Sequence, residues 1–254
     1  MPKIAWIKSY EAAVKSARAS KKLLLIDFYT DWCGYCKKLD AEVFPDPKIV
    51  QFCGQVVTVK LNAEREGKAL AQKYGVSGFP TVLYLDAEGN EWGRMPGFMP
   101  ASGFIELGSG ALKAFKEQPV LEAKLKQSPN NTTLAADLTE RFARQDNEAK
   151  ALWAARLMAK GPKTSKYASA YAALGGLYLK KEKSATARTW FQKALAAATE
   201  PRDKAYAHFG LAFCFIGERN AKGARAELNA AIKVPGCPRG IQENANKLLE
   251  QIPK

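Results

Sequence analysis

The chain of 254 residues contains a single histidine, His208, and no apolar run that approaches the eighteen residues of a membrane-spanning helix. The longest candidate, Ala205–Ile216, has twelve residues and includes that histidine. One histidine leaves almost no room for histidine-dependent triads, dyads or histidine-rich zinc sites. The short apolar runs contain no readable membrane span, so we expect no membrane association.

Cysteine is scarce and odd in number: the chain has Cys33, Cys36, Cys53, Cys214 and Cys237. A secreted scaffold would pair its cysteines, so this pattern favours thiol chemistry in a reducing compartment or a metal site. A Cys-x-x-Cys pair supplies only half of a tetrahedral zinc site, and the other three cysteines offer no second pair. The sequence therefore predicts a redox pair without metal or other cofactor, and it predicts that Cys53 and Cys214 are small buried hydrophobic residues.

The N-terminus lacks an apolar stretch followed by a small-residue cleavage site. If Met1 is the native start, we expect a cytoplasmic protein. A mature chain that has lost a signal peptide would look the same, so a periplasmic or other extracytoplasmic location is the alternative.

Positive charge is concentrated in the second half of the chain. Residues 1–115 carry 15 basic and 12 acidic residues, whereas residues 116–254 carry 24 and 13, a net charge of +11. The two halves are therefore expected to do different things. Exposed aromatic residues are not interleaved with the basic ones, which disfavours nucleic acid and makes an acidic protein or peptide the expected partner. Solvated helix faces rich in lysine are the alternative explanation of the charge.

The pattern of apolar residues divides the chain in two. Strands alternate with helices in residues 1–117, and a hairpin signature at Asp86–Asn90 comes late, so we predict a mixed sheet with helices on both faces. The predicted strands are Leu23–Tyr29, Val56–Leu61, Thr81–Leu85 and Glu91–Gly97. Residues 118–131 are interpreted as a linker that follows a helix over residues 100–116, and a short helix within this linker is the alternative to an irregular segment. Residues 132–254 show alanine, leucine and lysine at helical spacing and no convincing strand.

Seven positions of the helical half recur after 37 residues. Tyr171, Leu174, Gly175, Tyr178, Ala187, Phe191 and Ala194 recur as His208, Leu211, Ala212, Phe215, Ala224, Leu228 and Ala231. A fainter copy places Ala149 and Trp153 at the positions of Ala187 and Phe191. This pattern resembles the tetratricopeptide repeat family, which implies stacked helical hairpins and a capping helix over residues 238–252. The alternative is a generic bundle of helical hairpins, and His208 is expected to pack rather than to react.

The residues most typical of chemistry lie between Asp27 and Lys37, in the run Asp-Phe-Tyr-Thr-Asp-Trp-Cys-Gly-Tyr-Cys-Lys. A strand ends there and a helix begins near Cys33. Unpaired amides at a helix start favour a thiolate at Cys33. Cys36, one turn inside, is expected to be more shielded from solvent and is suited to resolve a mixed disulfide. A lone carboxyl in an apolar strand should have a raised pKa, so Asp27 can accept the proton of Cys36. The alternative is that Asp27 ends the strand and faces water.

This run, together with Lys60-Leu61-Asn62 and the segment Tyr74–Thr81, resembles the thioredoxin family. The pattern Trp-x-x-x-x-x-Ala at the first predicted helix (Trp6 and Ala12, with the helix over residues 9–19) and the run Trp-Cys-x-x-Cys-Lys-Lys resemble one thioredoxin-like branch of it. The resemblance implies that Pro80 is cis and packs beside Cys33. It implies that Asp27 lies under Cys36 with Lys60 near it. It also implies a substrate groove, which we assign to Trp32, Tyr35, Phe79 and Pro80. Tyr35 departs from the proline of thioredoxin itself, so the direction of catalysis stays open.

These observations predict a thioredoxin fold followed by a helical-repeat domain. The expected function is thiol–disulfide exchange on protein disulfides, a reductase or isomerase activity, with Cys33 as nucleophile and Cys36 resolving. The repeats are expected to present a concave basic surface to a partner, with Lys166, Arg202 and Lys204 as candidate contacts. The alternative is an interaction scaffold or co-chaperone in which the dithiol is regulatory.

Overall fold

A computed structural model describes residues 3–161 and 164–253, and the chain divides into two compact units between Val120 and Leu121. The first unit contains strands and helices, and the described part of the second unit is entirely helical. Both halves therefore have the secondary structure that the sequence predicts.

The first unit is built on a four-stranded mixed sheet in the order β2-β1-β3-β4. The strands are β1 (Leu24–Tyr29), β2 (Val57–Asn62), β3 (Thr81–Leu85) and β4 (Glu91–Pro96). β2 runs parallel to β1, while β3 is antiparallel to both β1 and β4. β1 lies inside the sheet and is covered on both faces, which explains why it is a nearly continuous apolar run.

Helices cover both faces of this sheet. They are α1 (Tyr10–Ser20), α2 (Gly34–Lys38), a π-helical turn (Leu39–Val43), α3 (Pro47–Cys53), α4 (Lys68–Lys73) and the first part of α5 (Ala101–Gln127). Leu24 and Ile26 of β1 pack in one core with α1 and α4, whereas Leu25 packs in the other core with α3 and α5. Alternation along a strand places Asp27 on the same face as Leu25.

Helix α5 is longer than the sequence predicts. It continues through Pro119 to Gln127, so most of the segment interpreted as a linker is helical. Proline in a helix interior removes one hydrogen bond, so the sequence predicts that the helix ends before Pro119. In the second unit, however, Leu121 and Leu125 pack into a buried core, with Leu125 fully buried, and this burial outweighs the local preference.

The second unit contains seven helices that begin and end within the described residues. They are α6 (Thr132–Arg144), α7 (Glu148–Met158), α8 (Tyr167–Lys180), α9 (Ser184–Ala197), α10 (Pro201–Gly217), α11 (Ala221–Lys233) and α12 (Arg239–Gln251). Three successive helix pairs share one connection, in which a residue with positive φ lies two positions before the second helix. These residues are Asp146, Glu182 and Arg219. Their spacings of 36 and 37 residues place a third hairpin upstream of the two that the sequence shows clearly.

The turn geometry corrects the register of that upstream hairpin. Asn147 precedes α7 as Lys183 precedes α9, so Ala151 occupies the position of Ala187. Ala151 and Ala187 are both fully buried, whereas Ala149, the predicted equivalent, is exposed. The offset between the first two hairpins is therefore 36 residues rather than 38, as the spacing of Asp146 and Glu182 also shows.

Glycine and one aromatic ring set the distance between neighbouring helices of the second unit. A Cβ atom on Gly175 would lie 2.6 Å from the ring of Phe191, and one on Gly210 would lie 2.2 Å from it. The ring of Phe191 thus fills space that only glycine leaves open on α8 and α10. The repeated small residues therefore allow the close helix packing expected of stacked hairpins.

Candidate functional site

Cys33 and Cys36 lie where β1 leads into α2. Cys33 is the N-cap of α2, and the two cysteines form a disulfide with their Cα atoms 5.3 Å apart. The backbone amide of Cys36 donates a hydrogen bond to Cys33 Sγ over 3.0 Å. In the reduced protein this amide would stabilise negative charge on Cys33 Sγ, since a hydrogen bond to the charged form of a group favours that form.

Exposure does not separate the two cysteines. Cys33 is 4% and Cys36 is 3% exposed, so the expectation that Cys36 is the more shielded residue finds no support in the disulfide form. The amide that points at Cys33 Sγ is the feature that distinguishes them. The assignment of nucleophile and resolving cysteine remains a prediction.

Asp27 and Lys60 face each other across β1 and β2 and form a buried ion pair. Asp27 is 1% exposed, and Lys60 Nζ lies 3.0 Å from Asp27 Oδ2. Neither carboxylate oxygen accepts a hydrogen bond of good geometry. Burial raises the pKa of Asp27 from 3.8 to about 6, and the nearby Lys60 charge opposes that rise. The structure thus excludes the alternative in which Asp27 faces water.

Lys60 has a second carboxylate partner that the sequence analysis missed. Its ammonium group also contacts Asp40 Oδ1, and Tyr29 and Phe44 lie with their ring centroids 5.0 and 5.3 Å from Nζ. Burial disfavours the charged form of Lys60, yet the carboxylates of Asp27 and Asp40 raise its pKa above the ordinary value. A π-helical turn (Leu39–Val43) carries Asp40 to this position. The spacing of apolar residues from Cys33 to Val43 predicts a helix, but nothing in it indicates the π form.

Pro80 follows a cis peptide bond, as the family resemblance implied. Pro80 is buried, and its carbonyl oxygen accepts a hydrogen bond from the amide of Gly97 over 2.7 Å. Gly97 has φ of +86°, which favours glycine, and this backbone turns the chain sharply after β4. The chain beyond β4 is thereby tied to the proline segment.

Exposed aromatic rings adjoin the disulfide. Trp32 is 67% and Tyr35 is 63% exposed. Trp32 packs edge-on against Phe79 with ring centroids 6.0 Å apart, and Tyr35 lies 6.2 Å from the ring of Phe98. The structure therefore brings Trp32 and Phe79 together as expected of a groove wall, and it adds Phe98, which the sequence analysis missed because it lies 63 positions from Tyr35.

The remaining cysteines are buried and free. Burial raises the pKa of Cys53 and of Cys214 to about 12 and also raises the pKa of Cys237. Such thiols are poor nucleophiles near neutral pH. Within residues 3–161 and 164–253, no three histidine, cysteine, aspartate or glutamate side chains gather in a way that could hold a metal ion.

A groove of about 660 Å³ in the second unit is lined by α6, α8, α9 and α10. Tyr206 and Phe213 are exposed on it, and Arg202 also lines it. Of the predicted contacts, Lys166 pairs with Asp137, Arg202 pairs with its neighbour Asp203, and Lys204 is exposed.

His208 lies half-buried on α10 outside the lining of this groove. Its Nδ1 atom is 2.7 Å from Glu227 Oε2 on α11, so it joins the two helices of one hairpin. This placement is compatible with the expected packing role.

Comparison with known proteins identifies the first unit. Residues 10–109 match the thioredoxin-like domain family. The thiol:disulfide interchange protein DsbD of Salmonella typhi is 38% identical over 93 residues, and that of Photorhabdus laumondii is 36% identical over 92. These segments cover 35% and 34% of this chain but only 16% of each relative. The oxidised C-terminal domain of DsbD from Neisseria meningitidis is 28% identical with a TM-score of 0.36, covering 40% of this chain and 95% of that domain.

The sequence and the fold agree on the first unit: it is a thioredoxin-like α/β domain with a Cys33-x-x-Cys36 pair, followed by an all-helical region. Among the residues that the structure describes, no helix is both long and apolar enough to cross a bilayer.

Proposed function

We propose that the thioredoxin-like domain of this chain is a thiol–disulfide oxidoreductase that acts on protein disulfides through Cys33 and Cys36. The observation that carries this proposal is the Cys33–Cys36 disulfide at the N-terminus of α2, with the Cys36 amide directed at Cys33 Sγ. The curated relatives are named thiol:disulfide interchange proteins, and the same class of reaction fits this site. The chain spans about one sixth of their length, so this proposal concerns the dithiol domain and not their whole activity.

In the reducing direction, the Cys33 thiolate attacks one sulfur of a substrate disulfide. A mixed disulfide forms, and the second substrate sulfur leaves as a thiolate. Cys36 then loses its proton to Asp27 and attacks Cys33 Sγ. The Cys33–Cys36 disulfide forms, the first substrate sulfur leaves, and two electrons have passed to the substrate.

Asp27 suits the proton transfer because its pKa is raised to about 6, close to neutral pH. The positive charge of Lys60 stabilises the ionised carboxylate of Asp27 in the buried site. The same steps in reverse oxidise a substrate dithiol, and the reduction potential of the Cys33–Cys36 couple decides the direction. We expect the Cys33–Cys36 disulfide to be the redox group of this reaction, without a further cofactor, and an external dithiol donor to return it to the reduced form.

Two variants test the proposal and the assigned roles. Cys33→Ser should abolish insulin reduction with dithiothreitol as electron donor, because the attacking thiolate is lost. Cys36→Ser should accumulate mixed disulfides with reduction substrates, visible on non-reducing gels, because attack proceeds without resolution. Cys53→Ser serves as the control and should leave both readouts unchanged. Trapping by Cys33→Ser and not by Cys36→Ser would reverse the two roles, and activity in Cys33→Ser would refute the proposal.

We further propose that the helical unit is a tetratricopeptide-like repeat array that holds a polypeptide partner in its groove. The support is the threefold recurrence of one hairpin connection and the exposed rings of Tyr206 and Phe213 on the groove. The excess of basic residues in this half favours a partner with acidic groups. Arg202 is 73% exposed at its side chain, so its ion pair with Asp203 is weak and open to exchange.

The groove can be tested in the full chain. Tyr206→Ser with Phe213→Ser should slow reduction of a protein disulfide carrying an acidic segment, while reduction of a small aromatic disulfide stays unchanged. Val120→Ser, also at an exposed apolar residue but outside the groove, is the control. The difference should shrink as salt rises from 50 to 500 mM, because screening acts over about 8 Å at physiological ionic strength. If the groove variants bind a partner poorly but reduce every disulfide normally, the interaction scaffold with a regulatory dithiol becomes the better proposal.

For the location we propose the extracytoplasmic alternative, because protein disulfides, the proposed substrates, persist in oxidising compartments such as the periplasm and are rare in the cytoplasm. Fractionation of the source cells followed by immunoblotting tests this placement. Recovery with a cytoplasmic marker would overturn it.

A further inference from the structure

The disulfide is flanked by two clusters of side chains that each contain an aromatic pair and that differ in charge. The first cluster, the Trp32 face, consists of Trp32, Phe79 and Glu64, whose carboxylate accepts a hydrogen bond from the indole N–H of Trp32 over 3.0 Å. The second, the Tyr35 face, consists of Tyr35, Phe98 and Lys38, whose ammonium nitrogen lies 4.8 Å from the centroid of the Phe98 ring. One face thus carries an acid and the other a cation.

We propose that the Tyr35 face is a specificity-determining surface that favours substrate disulfides with an acidic residue next to the reacting cysteine, and that Phe98 is the residue that builds it. This inference rests on the proposed oxidoreductase function. It assigns to the site a preference among protein substrates that neither the disulfide nor the cis proline explains.

The backbone holds Phe98 in place. The amide of Gly97, the residue before it, is bound to the carbonyl of Pro80, and the positive φ of Gly97 turns the chain toward the site. Phe98 is half-buried and packs against the core beneath it, so its ring is a fixed support. Tyr35, by contrast, is 63% exposed and has its ring available to a substrate side chain.

The charge on this face is open to a substrate. Lys38 has one acidic partner in the structure, Glu42, at 3.8 Å, and the two side chains are 46% and 59% exposed. An exposed pair at that distance is worth little and is readily exchanged. The ring of Phe98 holds the Lys38 ammonium near the site by a cation–π contact. Asp40, two residues after Lys38, forms its ion pair with the buried Lys60 instead.

The opposite charge on the Trp32 face sharpens the preference. Glu64 accepts a hydrogen bond from the indole N–H of Trp32. The adjacent cation, Arg65, forms an ion pair with Asp31. An acidic substrate side chain is therefore repelled from the Trp32 face and attracted to the Tyr35 face.

Disulfide peptides of one length, with glutamate or lysine immediately before or after the reacting cysteine, test this inference. We expect the full-length protein to reduce one of the glutamate peptides about two- to fivefold faster, in kcat/KM, than its lysine counterpart, the effect of an exposed charge contact. Lys38→Glu should invert that ratio. Lys37→Glu makes the same charge change one residue away, where no contact with the aromatic rings is seen, and should preserve it.

The role of Phe98 needs a variant that keeps the packing. Phe98→Leu should reduce the glutamate preference toward unity while the melting temperature stays near that of the unaltered protein. Equal rates on all four peptides, or equal effects of Lys37→Glu and Lys38→Glu, would overturn the inference. A protein that reduces no disulfide at all would instead refute the oxidoreductase function on which the inference rests.

Discussion

The two units of the chain treat charge in their interiors in opposite ways. In the thioredoxin-like domain Asp27, Lys60 and Asp86 are all buried, whereas no charged residue of the helical unit is buried among those that the structure describes. The helical unit is instead filled by alanine and glycine at helix contacts, with Phe191 between Gly175 and Gly210. The interior of the first unit therefore contains ionisable groups that can exchange protons, whereas the interior of the helical unit contains no charged side chain among its described residues.

The comparison indicates where the proposed function would cost stability. A buried carboxyl with a raised pKa lowers stability when it ionises, and it lies in the domain whose proposed reaction uses a proton acceptor. The helical unit contains no such group among its described residues, and its surface groove, rather than its core, carries the proposed role. Substitutions in the two cores should therefore change the free energy of unfolding for different reasons, through the ionisation of a buried group in the first unit and through side-chain volume in the second.

The largest expected effect comes from removing the buried charge. Asp27→Asn should raise the free energy of unfolding at pH 8 by up to about 3 kcal/mol, since the two-unit rise in pKa converts to that amount. Below pH about 4 the carboxyl is protonated in the folded and the unfolded state alike, so the gain should vanish there. It should develop between pH about 4, where the carboxyl ionises in the unfolded chain, and pH about 6, where it ionises in the folded protein, and it should level off above that pH. Urea unfolding at several pH values measures this, and resolution of mixed disulfides should become slower.

Asp86 is the matched control because it is equally an aspartate of the same domain but is fully satisfied. Its two oxygens accept hydrogen bonds from the amides of Glu88 and Asn90 and from the side chains of Asn90 and Trp92. Asp86→Asn should therefore lower the free energy of unfolding by about 1–3 kcal/mol, the worth of a hydrogen-bonded buried charge. Stabilisation by both substitutions would show that burial alone, and not the missing hydrogen bonds, sets the sign.

The second effect separates two neighbouring glycines of α8. Gly175→Ala should destabilise the helical unit by about 1–3 kcal/mol, because its Cβ would lie 2.6 Å from the ring of Phe191. Gly176→Ala meets nothing within 4 Å and should stabilise the helix by up to about 1 kcal/mol. Thermal unfolding followed by circular dichroism distinguishes the two. Equal shifts would contradict the close packing of Phe191, and the reduction potential of the dithiol should move in neither variant.

The smallest effect concerns Asp40. Its carboxylate competes with Asp27 for Lys60, and its charge helps to raise the pKa of Asp27. Asp40→Asn should therefore lower the pKa of Asp27 and move the pH profile of mixed-disulfide resolution toward lower pH. Asp46→Asn, at an acid that only caps α3, should leave the profile unchanged. A profile that does not move in Asp40→Asn would mean that Asp40 has no influence on the proton acceptor.

Local sequence determined the parts of this protein that depend on neighbours along the chain. The strand before Cys33, the helix that begins after it and the proline loop are each set by runs of fewer than a dozen residues. Each end of the four strands lies within one residue of its predicted position. The 37-residue repeat was likewise readable, since helical hairpins contact their immediate neighbours and repeat the same small residues.

Tertiary structure alone decided the features that join distant positions. Phe98 reaches Tyr35, and Asp40 reaches Lys60 through a π-helical turn, and no local pattern marks either contact. Helix α5 likewise continues through Pro119, because the burial of Leu125 in the second core outweighs the hydrogen bond that proline removes. Periodicity records what each residue prefers among its neighbours, whereas burial and charge pairing depend on which distant surfaces the fold brings together.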